Sequence, residues 1–191
     1  MRIPALTKLV VIDRDGILSQ DPEAYVRGSE DWQPIPGALE AVARLNQSGW
    51  HVVIATNQSG IGRGLFDVMS FNAFNARMLK SLAEVGARVD AIFFCPHAPE
   101  DGCDCRKPAP GLFIEIGKRL GVPLAQVLAA GDSVRDAQAA AAAGCAPHLI
   151  LSGQSSAYRE GGLPEGLPPG TRAHADLQAF ADWVLAQEPP T

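Results

Sequence analysis

LVVIDRDG, residues 9–16, sets four aliphatic residues against an acidic-basic-acidic triplet and a glycine. An unbroken aliphatic run, rather than one alternating with polar residues, suits a strand buried on both faces, as in a parallel sheet. The same design recurs downstream. Val52-Val53-Ile54-Ala55 stops at Thr56, and Ile92-Phe93-Phe94 stops at Cys95. Val127-Leu128-Ala129-Ala130 stops at Gly131-Asp132, and His148-Leu149-Ile150-Leu151 stops at Ser152. Helical periodicity fills the intervals. Pro36-Gly37 opens one helix, with Leu39, Val42 and Leu45 on one face and Gly49 as its stop. Phe71, Phe74, Met78, Leu82 and Val85 define a second, and Leu112, Phe113, Ile116 and Leu120 a third. Ala137 to Ala143 is a strong helix former that ends at Gly144. Strands alternating with helices predict an α/β fold built on a doubly wound parallel sheet. Ligands of such sheets bind outside the carboxyl ends of the strands, where Asp13, Thr56 and Asp132 all fall.

The chain of 191 residues is 47% hydrophobic and 19% charged, which predicts one soluble globular domain over residues 1–191. A net charge of −5 argues against a nucleic-acid partner, which asks for a basic face. No apolar run approaches the ~20 residues of a membrane span. The opening MRIPALTKLVVIDRDG does not read as a secretory signal, because its apolar run is short and ends on charges. A cytoplasmic location is therefore expected, and a monomer as well, since no exposed heptad or long apolar strand edge is evident. Residues 153–172, rich in Gly, Pro and Ser, are expected as a surface loop, and 175–187 as a closing amphipathic helix.

Two carboxylates two positions apart, Asp13 and Asp15, can converge once the chain turns at Gly16. Alone such a pair is weak evidence, since a solvated loop explains it equally well. Asp132 and Asp136, in GDSVRD, form a second acidic pair after a later strand. Together with Asp13 they could hold one Mg²⁺, which takes oxygen ligands. Thr56 can hydrogen-bond a phosphoryl oxygen, and Lys107 can neutralise its charge.

Three of the four cysteines and one histidine fall within CPHAPEDGCDC, residues 95–105. Cys95-x-His97 and Cys103-x-Cys105 are two ligand pairs, and a Cys₃His set is a usual tetrahedral zinc environment. With every position filled, such a zinc is structural. It would tie down the loop and fix Arg106 and Lys107 at the rim of the site. The alternatives are four ordinary loop residues, or a redox pair at Cys103 and Cys105, whose spacing is not C-x-x-C. Cys145 reads as a small buried residue. His51, His148 and His174 have no motif partner and are expected to be structural. Gly60-Ile-Gly62-Arg-Gly64 is not G-x-G-x-x-G and reads as a tight loop beside the phosphate site.

DRDG, TNQSG, CRKP and GDSVRD resemble the four motifs of the haloacid dehalogenase (HAD) superfamily of phosphotransferases, over residues 8–151. The TNQSGIGRG loop with Cys-Pro-His and Cys-Asp-Cys-Arg-Lys-Pro narrows this to a set resembling the heptose 1,7-bisphosphate 7-phosphatase family and the similar histidinol-phosphate phosphatases. The resemblance implies that Asp13 is the nucleophile of an aspartyl-phosphate mechanism, and that Asp15 is the general acid and then the general base. Mg²⁺ would be held by Asp13, the main-chain carbonyl of Asp15, and Asp132, with Asp136 supporting them from behind. Thr56 and Lys107 would hold the phosphoryl oxygens. The short gaps from Asp13 to Thr56 and from Thr56 to Lys107 leave no room for a cap domain. Selection would then fall to short loops, 19–27, 58–66 and the zinc loop. Asp21, Tyr25, Asn57, Gln58, Ser59, Arg63, Arg106 and Ser133 are the expected substrate contacts, with Arg106 reaching a distal phosphate. Ile17 and Ser133 depart from the family, which more often has Thr or Val at the first and, in several relatives, Lys at the second. The implied substrate is a sugar bisphosphate, on the route to ADP-heptose for lipopolysaccharide. Histidinol phosphate, a polynucleotide 3′-phosphate and a non-catalytic zinc-stabilised binding module are the competing readings.

Overall fold

The computed structural model describes residues 8–20 and 28–187; Asp21 and Tyr25 lie outside the described residues. The first aliphatic run forms β1 (Leu9–Ile12) and is buried throughout. Successive side chains of a strand point to opposite faces, and here both faces are covered. Leu9 and Val11 pack in one core with Val53, Phe113, Ile116 and Ala129. Val10 and Ile12 pack in another with Leu45, Phe74, Met78 and Phe180.

Five more strands, β2 (His51–Asn57), β3 (Ala91–Cys95), β4 (Val127–Gly131), β5 (Ala146–Ile150) and β6 (Arg172–His174), complete the sheet. All neighbours pair in parallel, in the order β3-β2-β1-β4-β5-β6. The helices are α1 (Ala38–Gln47), α2 (Ser59–Gly62), α3 (Val68–Glu84), α4 (Gly111–Leu120), α5 (Val134–Ala143) and α6 (Leu177–Ala186). Residues of α4 and α5 fill the first of these cores, on one face of the sheet, and residues of α1, α3 and α6 fill the second, on the other. β1 and β4 are neighbours, but the chain leaves β1 toward β2 and leaves β4 toward β5. The crevice between their carboxyl ends is the topological switch point, where ligands of such sheets bind. Among the described residues no helix is long and apolar enough to cross a membrane.

Three expectations need correction. β2 runs on to Asn57, so Thr56 lies within the strand rather than beyond it. Ser59–Gly62 forms one helical turn where a tight loop is expected. Residues 153–172 are not loop throughout, because Gly153–Glu160 is a 3₁₀ segment and Arg172 begins β6. A strand of three residues reading Arg-Ala-His has no apolar run to announce it; its pairing with β5 defines it.

That pairing creates a buried imidazole pair. His148 Nδ1 lies 3.0 Å from His174 Nε2, against Phe180 and Trp183 of α6. Burial, with help from Arg172 nearby, pushes both down from 6.5 to about 4. The folded pKa lies below the unfolded value, so the unfolded chain binds more protons as pH falls. Stability from the neutral pair is full above pH 6.5 and is lost as pH falls toward 4. His148→Phe is therefore expected to destabilise less at pH 5 than at pH 7, by on the order of 2 kcal/mol in urea unfolding. An equal cost at both pH values would contradict this.

Candidate active site and metal centre

Asp13 leaves β1 with its backbone N–H still bonded to Ala130 O of β4, at 3.0 Å. The chain then turns sharply, with Leu18 N–H reaching Arg14 O at 2.9 Å. Gly16, at φ +76°, makes the turn possible: a Cβ there would stand 2.1 Å from Asp132 Oδ2. Only glycine tolerates both that backbone and that approach. The turn thus seats the loop after β1 directly against Asp132, just beyond the end of β4.

Lys107 enters from the opposite side and is buried at 3% exposure. Its ammonium donates to Ala55 O at 2.8 Å and bridges Asp13 Oδ2, at 2.9 Å, and Asp136 Oδ1, at 2.5 Å. An ammonium has three protons, and each has a partner here. The Asn57 side chain holds the Lys107 backbone by two bonds of 3.1 Å, one donated and one accepted. Asp132 Oδ2 accepts from Gln154 N–H at 2.8 Å, while its Oδ1 is buried without a partner.

Carboxylates this close cannot all stay charged at no cost. Burial, reinforced by Asp136 and Asp15 against the pull of Lys107, pushes Asp13 up to about 7. Burial and the charges of Asp13 and Asp136 push Asp132 up to about 8. Burial acts the same way on Asp136, but the Lys107 ion pair and two bonds from Ser133 overcome it and hold Asp136 low. Burial would lower Lys107, yet Asp13 and Asp136 hold it above the ordinary lysine range. The carboxylate oxygens of Asp13, Asp132 and Asp136 lie within 4.8 Å of one another. An all-oxygen set, with one oxygen orphaned in the protein, fits a hard divalent cation.

The second cluster lies directly after β3. Sγ of Cys105 is 3.2 Å from Sγ of Cys95 and 3.6 Å from Sγ of Cys103, and Cys95 and Cys103 are 3.6 Å apart. His97 Nδ1 is 3.5 Å from Cys95 and 3.2 Å from Cys105. Thiolates at ~2.3 Å from a tetrahedral zinc stand roughly 3.8 Å apart, so these four atoms already approximate the corners. No disulfide forms among them. Burial and the neighbouring thiols push Cys105 up to about 12, the repulsion a cation would relieve. Cys145, also expected to be buried, is buried.

Several expected substrate contacts are turned inward. Gln58 is buried and donates to both Asp15 Oδ2, at 2.7 Å, and Thr56 Oγ1, at 2.9 Å. Asn57 is committed to Lys107, as above. Ser133 caps α5, its hydroxyl donating to Asp136, so its proton points at the acidic group. These three organise the site from within, because their amides and hydroxyl find partners among the catalytic candidates themselves. Ser59 opens α2 at the rim. Arg63 Nη2 lies 3.6 Å from Glu100 of the Cys/His loop, and Gly62 N–H bonds Pro96 O at 2.9 Å, so loop 58–66 leans on that loop. Arg106, Lys107 and Arg135 line a cleft of about 360 Å³ with Pro99, Gly102 and Cys103. Arg106 Nη1 is buried there with no hydrogen-bond partner.

The structure also gives roles to residues not singled out in the sequence. Ser152 Oγ donates to Gly16 O at 2.5 Å, and Gln154 N–H caps Asp132. The signal for Ser152 was its place at the carboxyl end of an apolar run, the same logic that picked out Thr56. Arg14, between the two motif aspartates, is fully buried. Its Nε and Nη2 grip Asp15 Oδ1 and Oδ2 at 2.9 and 3.0 Å, and its Nη1 donates to Asn75 Oδ1 at 3.2 Å.

Comparison with known proteins agrees with this geometry. A haloacid dehalogenase-like hydrolase family model matches residues 4–144. The chain is 51% identical over 181 residues to D-glycero-beta-D-manno-heptose-1,7-bisphosphate 7-phosphatase of Bordetella bronchiseptica, covering 94% of this chain and 99% of that one. It is 45% identical to the enzyme of the same name from Pseudomonas aeruginosa, covering 93% and 97%. The crystal structure of the B. bronchiseptica D,D-heptose 1,7-bisphosphate phosphatase, complexed with magnesium and phosphate, superposes with a TM-score of 0.87 over 95% of this chain and 100% of that chain, at 51% identity.

Proposed function

Because the chain belongs to the haloacid dehalogenase-like hydrolase family, we propose that it is a Mg²⁺-dependent phosphatase that removes the 7-phosphate of D-glycero-β-D-manno-heptose 1,7-bisphosphate. The observation that carries the chemistry is the Lys107 ammonium bridging Asp13 and Asp136 beside the unpartnered oxygen of Asp132. The substrate rests on identities of 51% and 45% to phosphatases of that name, over nearly the whole of each chain. On this reading the protein is a cytoplasmic monomer serving synthesis of the ADP-heptose precursor of lipopolysaccharide.

Asp13 attacks phosphorus through a carboxylate oxygen; the bond from phosphorus to the C7 oxygen breaks as Asp15 gives that oxygen its proton. A water then gives its proton to Asp15 and attacks the same phosphorus, breaking the bond to Asp13 and releasing inorganic phosphate. Thr56 and Lys107 hold the phosphoryl oxygens through both steps. Asp13, Asp132 and the Asp15 carbonyl would hold Mg²⁺, backed by Asp136. When bound, it screens the negative charges of carboxylate and phosphate from each other. Cys95, His97, Cys103 and Cys105 would hold a structural Zn²⁺. Arg106 lines, with Lys107 and Arg135, a cationic cleft suited to the phosphate that is not transferred, because guanidinium binds phosphate through paired donors.

Two measurements test this. Phosphate release from both heptose 1,7-bisphosphate anomers and histidinol phosphate should favour the β anomer in kcat/KM by roughly 10²-fold, about 2.7 kcal/mol. Equal or faster turnover of histidinol phosphate would overturn the substrate. Secondly, burial and the neighbouring carboxylates push Asp13 and Asp132 up to about 7 and about 8 when no metal is bound. Mg²⁺ binding near pH 7 must therefore release protons, and affinity must rise with pH from 6 to 8. Calorimetry in buffers of differing ionisation enthalpy reads that release directly; none at pH 7 would contradict the site.

A further inference from the structure

A fully buried arginine standing directly behind the acid-base residue needs a reason. Burying a guanidinium is costly unless every donor direction is matched, and a buried ion pair is weak evidence for stability. Arg14 has two carboxylate bonds, one amide bond to Asn75 of α3, and the faces of Phe74 and Phe71 at 4.4 and 5.5 Å. Asn75 is itself buried, and Phe74 is held edge-on by Trp32 at 5.6 Å. The Arg14 side chain is held at all three of its guanidinium nitrogens, and the one active-site group it grips is the Asp15 carboxyl group, by both oxygens.

We infer that Arg14, tethered to α3 through Asn75, is the positioning residue that sets where the Asp15 carboxyl group sits. This rests on the reading of Asp15 as proton donor. A donor must come within hydrogen-bond reach of the leaving oxygen, and misplacement by ~1 Å can cost roughly 10²-fold. The planar guanidinium fork fixes the plane and direction of a carboxylate, which a lysine ammonium does not. Asn75 extends this control to a helix that contributes none of the four motif residues.

The test uses leaving groups. kcat/KM reports events up to transfer of the phosphoryl group to Asp13. An alkyl phosphate such as a sugar phosphate needs a proton on its leaving oxygen, whereas p-nitrophenolate departs without one. Asp15→Asn should therefore lower kcat/KM for the alkyl substrate at least about tenfold more than for p-nitrophenyl phosphate. Arg14→Lys and Asn75→Ala should reproduce that selective loss, at about three- to tenfold. A merely structural disturbance would lower both substrates alike. If Asp15→Asn gives the selective loss and the other two variants do not, the inference falls and the role of Asp15 stands. If Asp15→Asn gives no selective loss, the role of Asp15 falls, and the inference with it. Should Arg14→Lys fail to fold, Asn75→Ala decides.

Discussion

Asp13→Asn is expected to lower kcat/KM for phosphate release by at least roughly 10³-fold while the protein remains folded. An amide cannot act as the nucleophile, so a covalent route closes rather than slows. The structure also says what happens to stability. Asp13 is crowded by Asp136 and Asp15, and burial already raises it to about 7. Replacing it by a neutral isostere removes a repelling charge, although it weakens the bond to Lys107 Nζ. The melting temperature should therefore be unchanged or higher, the usual trade between stability and activity at such sites. Circular dichroism and zinc content should match the wild type. Full turnover by Asp13→Asn would mean that the carboxylates at this switch point are incidental.

Removing zinc should have the next largest effect, and it should fall on the rim before the core. Cys95 is the last residue of β3, and Cys105 lies two residues before Lys107. The cluster thus anchors the segment that delivers Lys107 to Asp13 and Asp136. Without a cation, three thiols and an imidazole crowd one another, and backbone ties such as Gly62 N–H to Pro96 O and Gly111 N–H to Asp104 O are left to hold the loop in register. A stripped protein, replete in Mg²⁺, should lose at least about tenfold in kcat/KM, since loss of an oriented charged group typically costs that or more. It should also become open to proteolysis between residues 98 and 106. The sheet core should still melt cooperatively, because the residues of the larger core lie outside the loop. Unchanged activity with unchanged protease resistance would sink the structural role of zinc.

The parts of the site legible in the sequence are those fixed by local pattern. Aliphatic runs that stop at Asp13 and Asp132 mark strand ends, the one that stops at Thr56 falls a residue short of its strand's end, and parallel pairing brings these ends together whatever the intervening lengths. The Cys₃His cluster is legible because its four residues fall within eleven positions. Contacts made across the fold were not legible. Nothing near Arg14 announces Asn75, 61 residues away, as its partner. Nothing in a Gly- and Ser-rich stretch announces that Gln154 caps Asp132, 22 residues earlier. Asn57, Gln58 and Ser133 are expected at the substrate through the motifs they belong to; their hydrogen-bond partners here are the neighbouring catalytic candidates. β6 escaped because three residues carry no period, and its one buried side chain, His174, is polar.

The central claim is that the phosphoryl group passes through Asp13. Rapid acid quenching during turnover of a substrate labelled in its 7-phosphate, followed by peptide mapping, addresses it directly. The expected result is a protein-bound phosphoryl group on Asp13 that forms and decays at the rate of turnover. Label on any other side chain, or turnover with no protein-bound phosphate at any quench time, would contradict it.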